Sequence, residues 1–255
     1  MLSIHLAKLS GLVLVYLLVF ARTGAMLMLL PPISQAGVPA RVRLVLALAI
    51  SCALAPGLAH DYPAQGPSSA IGLGVMVGEE TTAGLLIGGM ATIIMAALSV
   101  AGQVIATQTG LAYAQLLNPM LGDQEPALGN FLTLLGGVMI FATNMHHLAI
   151  SAIEGSYTLI PPGAPLPTAD MAELVLRLVS GAFALGIQLS APFLVFGFAV
   201  NASIGLLARL MPQLQVFFIA MPVNLLAGVF LLMLLIGTMM TVFLDFYGTQ
   251  FSNFA

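Results

Sequence analysis

Apolar residues in this chain do not alternate with polar ones at helical or strand spacing; they run on in long blocks separated by short polar breaks. A helix needs about 20 apolar residues to cross a bilayer. About six blocks reach that length, at residues 4–30, 38–58, 70–105, 127–153, 171–210 and 215–246. Pro31-Pro32 closes the first. Pro39 suits the first turn of the second, and Pro56-Gly57 should end it. Residues 60–69 and the Pro-rich stretch through Pro161, Pro162, Pro165 and Pro167 read as loops. Asp170 is placed as a cap for the fifth block. Pro192 and Pro222 lie inside the last two blocks and predict kinks there. The third block is long for one plain crossing. No break leaves room for a separate soluble domain, so the expectation is one all-α domain, 1–255, that is a polytopic integral membrane protein.

Composition sharpens this picture. Hydrophobic residues make up 60% of the chain and charged residues 6%, against about 25% charged in ordinary soluble domains. Mean hydropathy is +1.09. A polar skin cannot be assembled from that supply. The apolar stretch 9–30 exceeds a typical signal-peptide core and is followed by no clean small-residue cleavage site, so it reads as retained. Tryptophan is absent and tyrosine scarce, which thins the usual interfacial aromatic belt. With six crossings, Arg41, Arg43 and Arg209 flank one side and Lys8 and Arg177 the other, favouring an N-terminus outside the cytoplasm by one charge.

The formal net charge of −3 says little about partners, and no basic run exists to neutralise nucleic-acid phosphates. The single cysteine, Cys52, lies in an apolar run and reads as a small buried hydrophobe. Three charges, Arg22, Glu79 and Glu80, sit in or beside apolar runs. A charge at mid-bilayer costs about 2.5–3.5 kcal/mol on insertion scales, so each should face protein or water. Small residues recur four apart, at Gly74 and Gly78, at Gly84 and Gly88, and at Gly102, Ala106 and Gly110. That spacing allows close backbone approach, either within the chain or against other subunits; the buried charges favour the second.

Catalytic and metal chemistry find little support. His5, His60, His146 and His147 have no Cys or carboxylate at metal-ligand spacing. Adjacent helical residues point about 100° apart, so His146 and His147 are poorly arranged to share a metal. No phosphate-binding glycine loop, serine elbow or zinc motif is present. The expectation is a non-enzyme without cofactors. Two classes then compete: a small-solute transporter with charges lining a path, and a subunit of a larger protein-conducting assembly. Transporters usually carry two halves with matching broken helices. The Glu79-Glu80 segment has no counterpart in the second half, which favours the assembly.

Six motif blocks then narrow the class. They are Phe20-Ala21-Arg22-Thr23-Gly24 with Pro31-Pro32 and Arg41-Val42-Arg43; Gly78-Glu79-Glu80 with Gly84 and Gly88; and Gly102-Gln103 with Gln108, Gly110 and Asn118-Pro119. The rest are His146-His147 with Ser156-Tyr157; Gln188 to Pro192; and Arg209, Pro212-Gln213, Met221-Pro222 and Gly228. In this order the chain resembles the FliR family of flagellar type III export-gate subunits, and more distantly its injectisome counterpart SctT. The resemblance runs nearly end to end, and the paired histidines favour the flagellar branch. The chain departs from the family at Met145, where glycine is usual, at Asn224, where lysine is usual, and at Asn118, where aspartate is usual.

The resemblance implies helical hairpins within a hetero-oligomeric gate in the bacterial inner membrane, in the flagellar basal body. Its partners would be FliP, FliQ and FlhB, its substrates unfolded flagellar proteins. It also implies a pore plug over Gln108, Gly110, Leu116, Leu117, Asn118, Pro119, Met120, Leu121 and Gly122. Arg22, Arg41, Arg43, Glu79, Glu80 and Arg209 would be buried charges or subunit contacts. An injectisome subunit and a small-solute transporter are the alternatives.

Overall fold

The computed structural model describes residues 2–31, 33, 34, 38–60, 62, 69–112, 127–210, 216–252 and 254. Seven long helices account for most of them: α1 (Leu2–Leu29), α2 (Ala40–Leu58), α3 (Ala70–Thr109), α4 (Ala127–Ala142), α5 (His146–Leu159), α6 (Thr168–Leu210) and α7 (Val216–Ser252). The described residues contain no strand. Five helices are long and apolar enough to cross a membrane, and α4 with α5 would make a sixth span. The apolar blocks thus became helices, as their length and lack of polar interruption require.

Several boundaries differ from expectation. The fourth block is not one helix: it breaks at residues 143–145 and bends by 76°. Asn144 takes a left-handed conformation at φ 60°, which asparagine tolerates because its short side chain can bond locally. The third block is one unbroken helix of 40 residues. At 1.5 Å per residue it is about 60 Å long, roughly twice a hydrocarbon core. Helix α2 runs through Pro56 and Gly57 to Leu58. Helix α6 starts at Thr168, so Asp170 sits in its first turn rather than capping it; a carboxylate there still favours the helix dipole.

Cys52 also corrects its reading. It is exposed, because α2 buries only the stripe Ala47, Ser51, Ala55 and Leu58. A residue one step past Ser51 is turned about 100° away from that stripe.

The described chain forms two compact units. The first holds Met1–Ile93, Ile140–Leu178 and Tyr247–Ala255, the second Ile94–Met139 and Val179–Phe246. In the first, α3 lies on α1 through glycines. A Cβ added to Gly84 would overlap the carbonyl oxygen of Arg22, and one on Gly88 would lie 2.6 Å from the carbonyl oxygen of Met26. Thr92 adds a hydroxyl bond of 2.9 Å to the carbonyl of Leu29. In the second unit, Gly102 of α3 meets α4 backbone to backbone; its Cβ would stand 2.6 Å from the amide nitrogen of Gly129. Leu98, Leu132, Leu185, Phe193 and Phe243 fill the surrounding core. Of the expected small-residue pairs, Gly84, Gly88 and Gly102 therefore work within the chain. Gly74 and Gly78 face open space.

Candidate functional site

The first unit is organised around a buried charge. Arg22 on α1 and Glu80 on α3 are 1% and 2% exposed. Arg22 donates from Nε to Glu80 Oε2 at 2.6 Å, from Nη1 to Ser156 Oγ at 2.9 Å, and from Nη2 to the carbonyl of Ile160 at 3.0 Å. Its guanidinium carbon lies 3.8 Å from the centroid of the Tyr157 ring. The planar fork thus meets three acceptors and a π face at once, an arrangement a lysine cannot reproduce. The Tyr62 hydroxyl donates to that of Tyr157 at 3.3 Å. Burial, then the neighbouring Tyr157 and Glu80, push the Tyr62 phenol well above its ordinary range, so it stays neutral.

One polar centre therefore joins α1, α3, α5 and the loop residue Tyr62. The buried charge was legible as a charge inside an apolar run. Its partners were not, since Glu80 and Ser156 are 58 and 134 residues away in sequence. The Arg22–Glu80 charges neutralise each other inside the chain and need no neighbouring subunit for that.

The other charges are placed differently. Glu79 is half-buried and forms no ion pair or hydrogen bond among the described residues. Arg41 and Arg209 are exposed; Arg43 is half-buried, with a buried Nε that has no hydrogen-bond partner among the described residues. The His146 and His147 rings lie 4.2 Å apart, and His146 stacks on Phe141 at 4.9 Å. They open α5 just after the left-handed Asn144, so mid-helix geometry does not hold them apart. Among the described residues no group of three His, Cys, Asp or Glu side chains could hold a metal. Sequence reasoning also missed a cavity of about 310 Å³ lined by Ala53, Leu54, Gly57 and Leu58 of α2 and by Glu154, Tyr157 and Thr158 of α5; Glu154 is its one charged lining residue.

In the second unit the end of α3 is enclosed. A Cβ on Gly197 of α6 would crowd the Gln108 side chain, and one on Gly228 of α7 would crowd Thr109. Asn224 Nδ2 donates to the Gln108 carbonyl at 3.3 Å. Gly110 then leaves the helix at φ 82°, a conformation glycine adopts without strain. Gln103 and the motif prolines Pro192 and Pro222 are exposed, and Met221 is half-buried. Leu116, Leu117, Asn118, Pro119, Met120, Leu121 and Gly122 of the expected plug lie outside the described residues, as do Pro212 and Gln213.

Comparison with known proteins agrees with the sequence motifs. A flagellar biosynthetic protein FliR of Caulobacter vibrioides is 41% identical over 230 residues, covering 90% of this chain and 91% of that protein. The FliR of Bacillus subtilis is 28% identical over 234 residues, covering 89% and 88%. The Yop proteins translocation protein T of Yersinia pestis is 31% identical over 221 residues, covering 83% and 81%. The family described as bacterial export proteins, family 1, matches residues 13–249. Both the match across nearly the whole length and the multi-pass helices place the chain in that family: it is a family 1 bacterial export protein.

Proposed function

We propose that this chain is the FliR-type subunit of a flagellar type III export gate. It would sit in the bacterial inner membrane with FliP-, FliQ- and FlhB-type proteins and form part of the path for unfolded flagellar proteins. The observation that carries the reading is the FliR relative at 41% identity, which is matched over nine-tenths of both chains. The injectisome relative, at 31%, lies above the Bacillus FliR at 28% but well below the Caulobacter FliR at 41%, and on that last match the flagellar branch is preferred.

Exposed apolar surface supports a role inside an assembly. Phe198, Leu210, Leu226, Phe230 and Met233 are each 69–77% exposed. Only 17% of an 18-residue apolar stretch of α7 is buried by its own chain. Lipid or neighbouring helices must cover such surface, and Gly74, Gly78, Glu79, Arg41, Arg43 and Arg209 are the side chains here that suit protein neighbours better than lipid. In this reading residues 108–122 close the resting path.

A pulldown of tagged protein from native membrane in mild detergent tests the assembly. Recovery of FliP- and FliQ-type chains is expected. A lone chain or homodimer, with motility intact after gene deletion, would overturn it. Deleting residues 116–122 should make cells leak small ions; unchanged membrane conductance would remove the plug.

A further inference from the structure

The last four carbonyls of a helix have no partner inside it, and the end of α3 shows where three of them go. The Thr109 hydroxyl donates chiefly to the Ile105 carbonyl at 2.9 Å, and the Ala106 carbonyl shares that hydrogen weakly at 3.4 Å. The Thr107 carbonyl takes the amide of Gly110 at 3.4 Å. The Gln108 carbonyl is met from outside the helix, by Nδ2 of Asn224, 116 residues further along on α7. Around it, Gly228 admits the Thr109 side chain and Gly197 admits that of Gln108. Two glycines on two helices thus leave room for this turn of α3, and an amide from one of them caps it.

The capping side chain is held at a cost to itself. Its Oδ1 is buried and has no hydrogen-bond partner among the described residues. A buried acceptor without a partner is unfavourable, so half of this amide is left unsatisfied while the other half serves the α3 terminus. An apolar residue here would remove that penalty, and the cap with it.

We infer that Asn224 is a positioning residue: through Nδ2 it fixes where α3 ends, and with it where the chain leaves the helix at Gly110. What this does for export rests on the reading that residues 108–122 close the path. The inference about the helix end does not.

What matters in this role is a donor aimed at the carbonyl end of a helix, where positive charge is also favourable. Asn224→Asp keeps the shape and removes the donor, placing negative charge against the carbonyls. Asn224→Lys changes the shape but keeps a donor. The experiment is hydrogen exchange of the peptide spanning the last turn of α3, on complexes purified from native membrane, together with ion leak in cells carrying the same variants. A hydrogen bond of ordinary strength corresponds to about a fivefold change in local opening. Asn224→Asp should therefore exchange about fivefold faster at 105–110 than the parent, and Asn224→Lys should exchange at nearly the parent rate. Equal rates in Asn224→Asp and the parent, or equal acceleration in Asn224→Asp and Asn224→Lys, would overturn the inference.

Should Asn224→Asp fail to accumulate, Gly228→Ala gives a second route. Its added methyl meets the Thr109 Cγ2, and its Cβ stands 2.7 Å from the Thr109 Cβ. It should speed exchange at 105–110, and Thr109→Ser, which removes Cγ2, should restore part of the protection. No acceleration in Gly228→Ala would argue against an enclosed helix end. Faster exchange together with ion leak supports both the inference and the closing role of residues 108–122. Faster exchange without leak supports the inference and counts against that closing role.

Discussion

The two compact units are both built from apolar helices that pack closely through glycines, but the first adds a buried ion pair. The first has at its centre an arginine and a glutamate, both almost fully buried, with Ser156, Tyr157 and a carbonyl completing the shell. Among the described residues the second contains no comparable pair. Its tightest junctions are backbone on backbone, as at Gly102 and Gly129, or glycine on side chain, as at Gly197 and Gly228. A buried ion pair is directional and fails badly when half of it is removed. Glycine packing is non-directional and fails by volume. Stranding a charge should therefore single out the first unit, while added volume at a packed glycine should damage either.

Arg22→Met is expected to do the most damage. It leaves Glu80 buried without its cation, and breaking a buried pair costs about 3–5 kcal/mol. Thermal unfolding in detergent should show a large drop in midpoint. Arg22→Met combined with Glu80→Met should recover much of it, since two apolar residues leave no stranded charge. If the double variant is as unstable as the single one, the pair is not the source of the loss.

Gly102→Ala probes the second unit and comes next. Its new methyl overlaps the Gly129 backbone, which cannot rotate away, and overpacking of this kind costs about 1–3 kcal/mol. The reciprocal Gly129→Ala has its nearest contact at 3.4 Å and should be close to neutral. Equal losses from the two would mean the junction is not packed as described. Gly84→Ala in the first unit should resemble Gly102→Ala, because its obstacle is also a backbone carbonyl, that of Arg22.

These contrasts show what a sequence can disclose and what it cannot. Apolar length alone located the helices, because lipid and hydrophobic burial impose the same demand on every residue of a span. The break at Asn144 stayed hidden, since no proline or glycine marks residues 143–145 and asparagine is only tolerant of the left-handed region. Arg22 announced itself as a buried charge, but pairing across 58 residues is set by tertiary packing. Glycine spacing signalled close approach on α3 without saying which faces use it. The structure divides them: Gly84, Gly88 and Gly102 are occupied, Gly74 and Gly78 open.

The open pair gives a smaller prediction with a change of sign. In the isolated chain Gly78→Ala has room for its methyl and gains about 1 kcal/mol of helix propensity, so the unfolding midpoint should rise slightly. In the assembly the same methyl should lower recovery of partner chains if a neighbour packs on that face. A variant that is stabilised alone and assembles fully would assign the Gly74–Gly78 face to lipid.

The smallest effect is expected at Glu173 and Arg177, which pair four residues apart near the start of α6 with side chains 61% and 76% exposed. In water such a helix pair contributes about 0.3–0.5 kcal/mol and weakens as salt screens it. Arg177→Ala should therefore leave unfolding almost unchanged, with the remaining difference vanishing at high salt. Around these two charges, Leu176 and Val179 are exposed as well, so the pair sits on a surface that is otherwise apolar. If that surface lies in lipid or against a neighbouring subunit, water no longer screens the pair, and Arg177→Ala strands a carboxylate in a poorly solvated place. The loss would then be several times larger and insensitive to salt. Comparing salt dependence in detergent with that in the assembled complex separates the cases: screening in both places this end of α6 in water, and screening lost only in the complex places it under a partner.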